Sequence, residues 1–130
     1  MIWLERRDVE AFHATQIAEF GGLAGTRDAG ALESALARPL NLTAYGNPSV
    51  FELAASYAFG IARNHPFADG NKRTALVTCF VFLELNRQAV NASEADAVVA
   101  FLDLAAGKMP EKDLAKWLEA RCVRVKGSKK

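Results

Sequence analysis

Nine consecutive positions, His65-Pro66-Phe67-Ala68-Asp69-Gly70-Asn71-Lys72-Arg73, bring together an imidazole, a carboxylate, an amide and two cations. A connection between helices needs only turn residues, and local breaches of sequence rules tend to mark functional sites. Asn71 reads as the N-cap of the helix that follows, which leaves the amides of Lys72, Arg73 and Thr74 facing the loop. Gly70 has no Cβ, so it can take a positive φ and let an anion approach the backbone. Together these features make an anion site at a helix N-terminus. Lys72 and Arg73 sharpen the reading. In a first turn the helix dipole disfavours each cation by roughly 0.3–1 kcal/mol, and a bound polyanion reverses that sign.

His65 precedes proline and must leave the helical conformation where the preceding helix ends. An imidazole at the loop mouth suits a general base near neutral pH. A helix-terminal histidine bonded to carbonyls is the plainer alternative; Asp69 and the anion nest favour catalysis. Asp69 is a single carboxylate, and magnesium needs only one or two beside substrate phosphates. A turn aspartate before glycine is equally ordinary. Phe67 reads as an anchor pinning the loop to the core. Arg63 falls at a helix C-terminus, where a cation is favoured anyway, so helix stabilisation competes with an auxiliary ligand role. His13 receives no role.

The elements that must hold this loop are helical. Asp8 is the expected N-cap of a first helix reaching about Phe20, with Val9, Phe12, Ile17 and Phe20 on one loose face and Gly21-Gly22 closing it. Asp28 caps a second helix, Ala29–Arg38, which Pro39 is expected to end; Leu40–Pro48 reads as a loop. Ser49 and Glu52 form a capping box for a third helix running to about Asn64. That helix is apolar nearly all round, as is the fourth, roughly Lys72–Asn86, so both are expected to be buried. Ser93 with Asp96 caps a fifth helix ending at Ala106, and Pro110 is expected as first residue of a sixth. Gln88–Asn91 is a candidate short strand. The expected fold is all-α: a compact six-helix bundle around a buried central hairpin made of the third and fourth helices.

A chain of 130 residues, 51% apolar, is long enough for one core without disulfide or metal staples. Its 16 basic and 15 acidic residues give no general electrostatic case for nucleic acid or membrane binding. The basic residues Arg124, Lys126, Lys129 and Lys130 read as a solvated, frayed tail. Cys79 and Cys122 lack metal-type spacing and read as buried, reduced thiols. Neither a signal pattern nor a run long enough to span a bilayer is found, which suggests a cytoplasmic protein.

The loop His65–Arg73 resembles the signature of the Fic/Doc family, H-P-F-x-x-G-N-x-R. Arg27-Asp28 with Leu32–Pro39 is similar to an early helix of Doc-like members, and Ala58–Asn64 fits the lead-in helix. The resemblance covers about residues 1–120, which implies a Fic/Doc (Fido) domain over 1–122 and a basic tail over 123–130. Adenylylating members read H-P-F-x-x-G-N-G-R-x-x-R; here Lys72 stands at the second Gly and Leu76 at the second Arg. The N-K-R form is similar to the death-on-curing toxins. That resemblance implies a protein kinase that uses ATP and Mg2+ to phosphorylate a threonine of elongation factor Tu and so blocks translation. His65 would be the base, Asp69 the metal ligand, and Gly70, Asn71, Lys72 and Arg73 the phosphate-binding residues.

AMP transfer, or an inert interaction module, are the alternatives. Thr15 and Glu19 have the spacing of the family's S/T-x-x-x-E-G/N inhibitory motif, but Phe20 follows, so the segment is not read as inhibitory. The resemblance then implies a separate antitoxin, through which alone DNA would be contacted. Its groove is expected near the loop, among Trp3, Leu40, Leu42 and Tyr45, with core packing as the alternative for those residues.

Overall fold

The computed structural model describes residues 1–126 and contains six helices and one two-stranded sheet among them. Helix α1 spans Arg6–Phe20. Asp8 is its third residue rather than its cap: the carboxylate reaches back to accept the Glu5 amide at 2.8 Å. The helix therefore starts three residues before the expected position, with Glu5 at the N-cap.

Helix α2 spans Ala29–Tyr45, with Asp28 Oδ1 accepting the Ala31 amide at 3.0 Å as expected of a cap. Pro39 does not end it. The proline lies buried inside the helix, which continues through the residues expected to be a loop. A proline removes one helical hydrogen bond and disfavours its predecessor's conformation. Packing on α3 (Val50–Asn64) overrides that cost. At their crossing the two backbones come so close that a Cβ on Gly60 would stand 2.9 Å from Ala35 Cα.

Helix α3 begins with the expected reciprocal cap: Ser49 Oγ accepts the Glu52 amide at 3.1 Å and Glu52 Oε1 accepts the Ser49 amide at 2.7 Å. It is buried continuously from Leu53 to Ala58 and again over Gly60 to Ala62. Helix α4 spans Asn71–Leu85 and lies against it, so the two form the expected central hairpin. Helix α1 packs on α4; α5 (Glu94–Ala105) touches both members of the hairpin, and α6 (Glu111–Arg121) sits on α3. Ser93 caps α5 through the Asp96 amide, at 3.1 Å. Pro110 is the N-cap of α6, one residue outside the expected place.

Strand β1 (Gln88–Val90) pairs antiparallel with β2 (Cys122–Arg124), in the register Gln88↔Arg124 and Val90↔Cys122. The second strand was not expected. It carries ladder bonds two residues into the segment read as a frayed tail, whose Lys129 and Lys130 lie outside the described residues. Asn86 ties the other terminus to the same end: its side chain accepts the Ile2 amide at 2.8 Å and donates to the Ile2 carbonyl at 3.0 Å. Both cysteines are free, Cys79 buried and Cys122 half-buried, and burial pushes both thiols above their ordinary range. Among the described residues, no helix is long and apolar enough to cross a membrane.

Candidate active site

The loop between α3 and α4 is fixed by its own residues first. His65 ends α3 in the left-handed conformation, φ 50°, while its amide still bonds Ile61 O at 3.3 Å. Histidine is among the few residues enriched there. Pro66 and Phe67 then turn inward, and Phe67 is buried to 1% exposure, the anchor expected of it.

Asn71 departs from expectation. The N-cap of α4 is Gly70, left-handed at φ 75°, and no side chain caps the helix. The Asn71 side chain is buried and turned back on the loop instead: Oδ1 accepts the Phe67 amide at 2.9 Å and Nδ2 donates to the Phe67 carbonyl at 3.0 Å. Asn71 thus staples the loop with both polar atoms. Its contribution to an anion site is its backbone amide.

The expected anion nest shifts back by one residue as a result. Thr74 N bonds Gly70 O at 2.9 Å, the first helical bond, which leaves the amides of Asn71, Lys72 and Arg73 at the open end. Lys72 and Arg73 are exposed there, and the Arg73 guanidinium lies over the Phe20 ring at 3.8 Å. His65 is exposed at the other end of the loop. Arg63 is exposed, stacks over Phe59 at 5.5 Å and lies beside Gly107. That arrangement fits the structural alternative for Arg63.

A second segment braces the loop from outside. Residues 23–28 run antiparallel to 65–69. Pro66 O accepts the amides of Arg27 at 2.8 Å and Asp28 at 2.9 Å, Thr26 bridges Phe67, and Ala68 N bonds Gly25 O at 3.3 Å. Arg27 adds a guanidinium bond to the His65 carbonyl, 2.7 Å. On the inner side, His13 stacks on Phe67 at 3.9 Å and bonds the Asp69 carbonyl at 2.8 Å. Sequence reasoning gave Arg27 a place only in the family resemblance and His13 no role. The signal for His13 was its place four residues after buried Val9, a polar residue on the inward stripe of α1.

Asp69 is exposed, and its Oδ2 accepts the Leu23 amide at 2.8 Å. The described residues contain no cluster of three or more His, Cys, Asp or Glu side chains. An all-protein metal cage is therefore absent from them, whereas a lone carboxylate on the loop that leads to the open amides of α4 fits magnesium that shares its ligands with a nucleotide. The uncapped, glycine-led helix start is in turn the donor set a phosphate requires.

The residues expected to form a groove near the loop do not lie beside it. Trp3 is half-buried against Phe82, ring centroids 6.0 Å apart, so core packing accounts for it. Leu40, Leu42 and Tyr45 are exposed on the last turns of α2, and Leu42 and Tyr45 line a groove with Glu52 at the opposite end of α3 from the loop. His65 follows Glu52 by thirteen positions along α3, about 20 Å along the axis. A groove of about 670 Å³ between α1, α4 and α5 adjoins the end of the loop. It starts at Lys72 and Arg73 and continues over Phe20, Leu76, Phe80 and Leu102.

Residues 3–83, which include the whole site, match the model of the Fic/DOC family, and the chain belongs to that family. Among curated relatives it is 44% identical over 87 residues to "Toxin Doc" of Mycolicibacterium smegmatis, a stretch covering 65% of this chain and 64% of the relative. It is 40% identical over 77 residues to "Protein kinase doc" of Escherichia phage P1, covering 58% and 61% respectively. The chain thus spans somewhat under two thirds of the length of each of these relatives.

Proposed function

We propose that this chain is a Doc-like toxin, a protein kinase that moves the terminal phosphate of ATP onto a threonine hydroxyl of elongation factor Tu and so stops translation in the cytoplasm. The observation that carries this reading is the open start of α4: three amides behind a left-handed Gly70, flanked by exposed Lys72 and Arg73, on the same loop as exposed His65. The names of the two relatives support it.

In this mechanism His65 accepts the proton of the threonine hydroxyl. The threonine oxygen forms a bond to the γ-phosphorus as the bond from that phosphorus to the β–γ bridging oxygen breaks. ADP departs with the bonding electrons, and His65 returns its proton to solvent. The amides of Asn71 to Arg73, with the Lys72 and Arg73 side chains, hold the phosphate oxygens whose charge redistributes. Such transfer needs positioning and charge stabilisation more than covalent chemistry from the protein. Magnesium held by Asp69 and the phosphates would supply further charge neutralisation.

Transfer of phosphate rather than AMP is favoured by Lys72 and by Leu76, half-buried in the apolar groove where adenylylating members carry a second arginine. That groove also suits the partner we infer, an antitoxin whose apolar helical face lies along α1, α4 and α5 and shields Lys72 and Arg73. DNA would then be contacted through the antitoxin alone. The test is incubation with Mg2+, elongation factor Tu and ATP labelled at either the α or the γ phosphorus. Label should reach the factor from the γ position only; label from the α position would overturn the kinase reading.

A further inference from the structure

Two side chains from outside the loop hold carbonyls near its two ends. Arg27 takes that of His65 and His13 that of Asp69. His13 is the more unusual, a polar ring 4% exposed inside the bundle. A carbonyl only accepts, so the ring nitrogen facing Asp69 O must carry a proton. The ring lies parallel to Phe67 within 7°, which fixes the direction of that donor.

The carbonyl it holds belongs to the peptide joining Asp69 to Gly70, immediately before the open amides of α4. Glycine accepts φ of either sign at little cost, so this peptide plane can flip unless something holds its oxygen. A flip would turn the Gly70 amide and alter how the Asp69 side chain and the Asn71 amide stand to one another. Asn71 cannot prevent it, because its side chain is committed to Phe67. Residue Gly70 is also in reach of the same ring: a Cβ there would stand 3.7 Å from His13 Cδ2.

We infer that His13 is a positioning residue that locks the Asp69–Gly70 peptide, and through it aligns the magnesium-holding carboxylate with the phosphate-binding amides. The inference rests on the proposed reading that this loop takes a magnesium nucleotide. His13 touches neither nucleotide nor metal in this account.

The test compares the wild type with His13→Phe, which keeps a ring on Phe67 without the donor, and His13→Gln, which restores an N–H at a similar reach. MgADP affinity is measured by calorimetry beside the thermal midpoint, and KM and kcat for phosphoryl transfer are measured in parallel. His13→Phe should weaken MgADP about tenfold or more, the usual scale for a residue supporting a metal ligand. It should raise KM for the nucleotide in step, and His13→Gln should recover most of the loss. Wild-type affinity in His13→Phe overturns the inference. So do equal affinities in the two variants accompanied by an equal fall in midpoint, which would assign His13 to packing alone. Wild type that binds MgADP but transfers no phosphate defeats the kinase reading and leaves the His13 comparison intact; wild type that binds no MgADP overturns both.

Discussion

His65 and Asn71 sit six positions apart in one motif and do opposite kinds of work. His65 has an exposed ring on a strained backbone, whereas Asn71 has a buried amide that makes two bonds to Phe67. His65→Asn isolates the ring, because asparagine tolerates the left-handed backbone. Phosphoryl transfer should fall by about 10²–10⁴, the usual worth of a general base, while the thermal midpoint stays at the wild-type value. A variant retaining more than a tenth of the wild-type rate would remove His65 from the mechanism. Asn71→Ala should behave in the reverse order of cause. It strands a buried N–H and C=O of Phe67, at about 1–3 kcal/mol for each group left unpaired, so the urea midpoint should drop visibly. Nucleotide affinity should weaken only as far as the loop loosens, and osmolyte should restore both together.

At the scale of elements, the sequence made the Ser49–Glu52 capping box, the Asp28 and Ser93 caps, the two apolar helices and β1 legible because each is set by neighbours within a few residues. Ser49 with Glu52 shows this directly. What escaped was decided at long range. Pro39 stays helical because the proline and, in the turns before it, Leu32, Ala35 and Leu36 are buried in a helix packed on α3, and β2 exists because β1 offers it a partner. The site divides in the same way. The motif disclosed His65, Asp69, Lys72 and Arg73, but the brace from residues 23–28 and the stack from His13 depend on where α1 and its following turn lie. The α2–α3 crossing gives a test of the long-range part. Gly60→Ala would drive a methyl to 2.9 Å from Ala35 Cα, where only a backbone shift makes room. Overpacking of this kind costs about 1–3 kcal/mol. Denaturant unfolding should register that loss, and the shift should reach the loop at the end of α3 as a raised KM for nucleotide. Gly60→Ala with unchanged stability would mean the two helices are not held as closely as the structure shows.

Over the whole molecule, α6 is joined to the helices that carry the site by packing on α3 and by one ion pair, Arg38 on α2 with Glu111. Burial lifts the Glu111 carboxyl above its ordinary 4.5, and the charge and hydrogen bond of Arg38 only partly oppose it. Arg38 does not spend all its donors on this pair: its guanidinium lies over Phe59, 4.8 Å from the ring centre, and its buried Nε finds no partner among the described residues. A carboxyl raised in the folded state holds its proton more tightly there than in the unfolded chain. Its contribution is therefore most favourable below 4.5 and is lost as pH rises through the folded value. Glu111→Gln removes that titration while keeping an oxygen for Arg38. Unfolding free energies of the two proteins, measured by urea at successive pH values, should converge or cross as pH rises, with the wild type losing stability relative to Glu111→Gln through the window that opens at 4.5. The bulk of acid unfolding comes from other carboxylates and cancels in the comparison, so only the difference between the two curves is diagnostic. A difference that grows in favour of the wild type with rising pH would mean that the Arg38 pair outweighs burial, and that α6 is held to the bundle by charge rather than despite it.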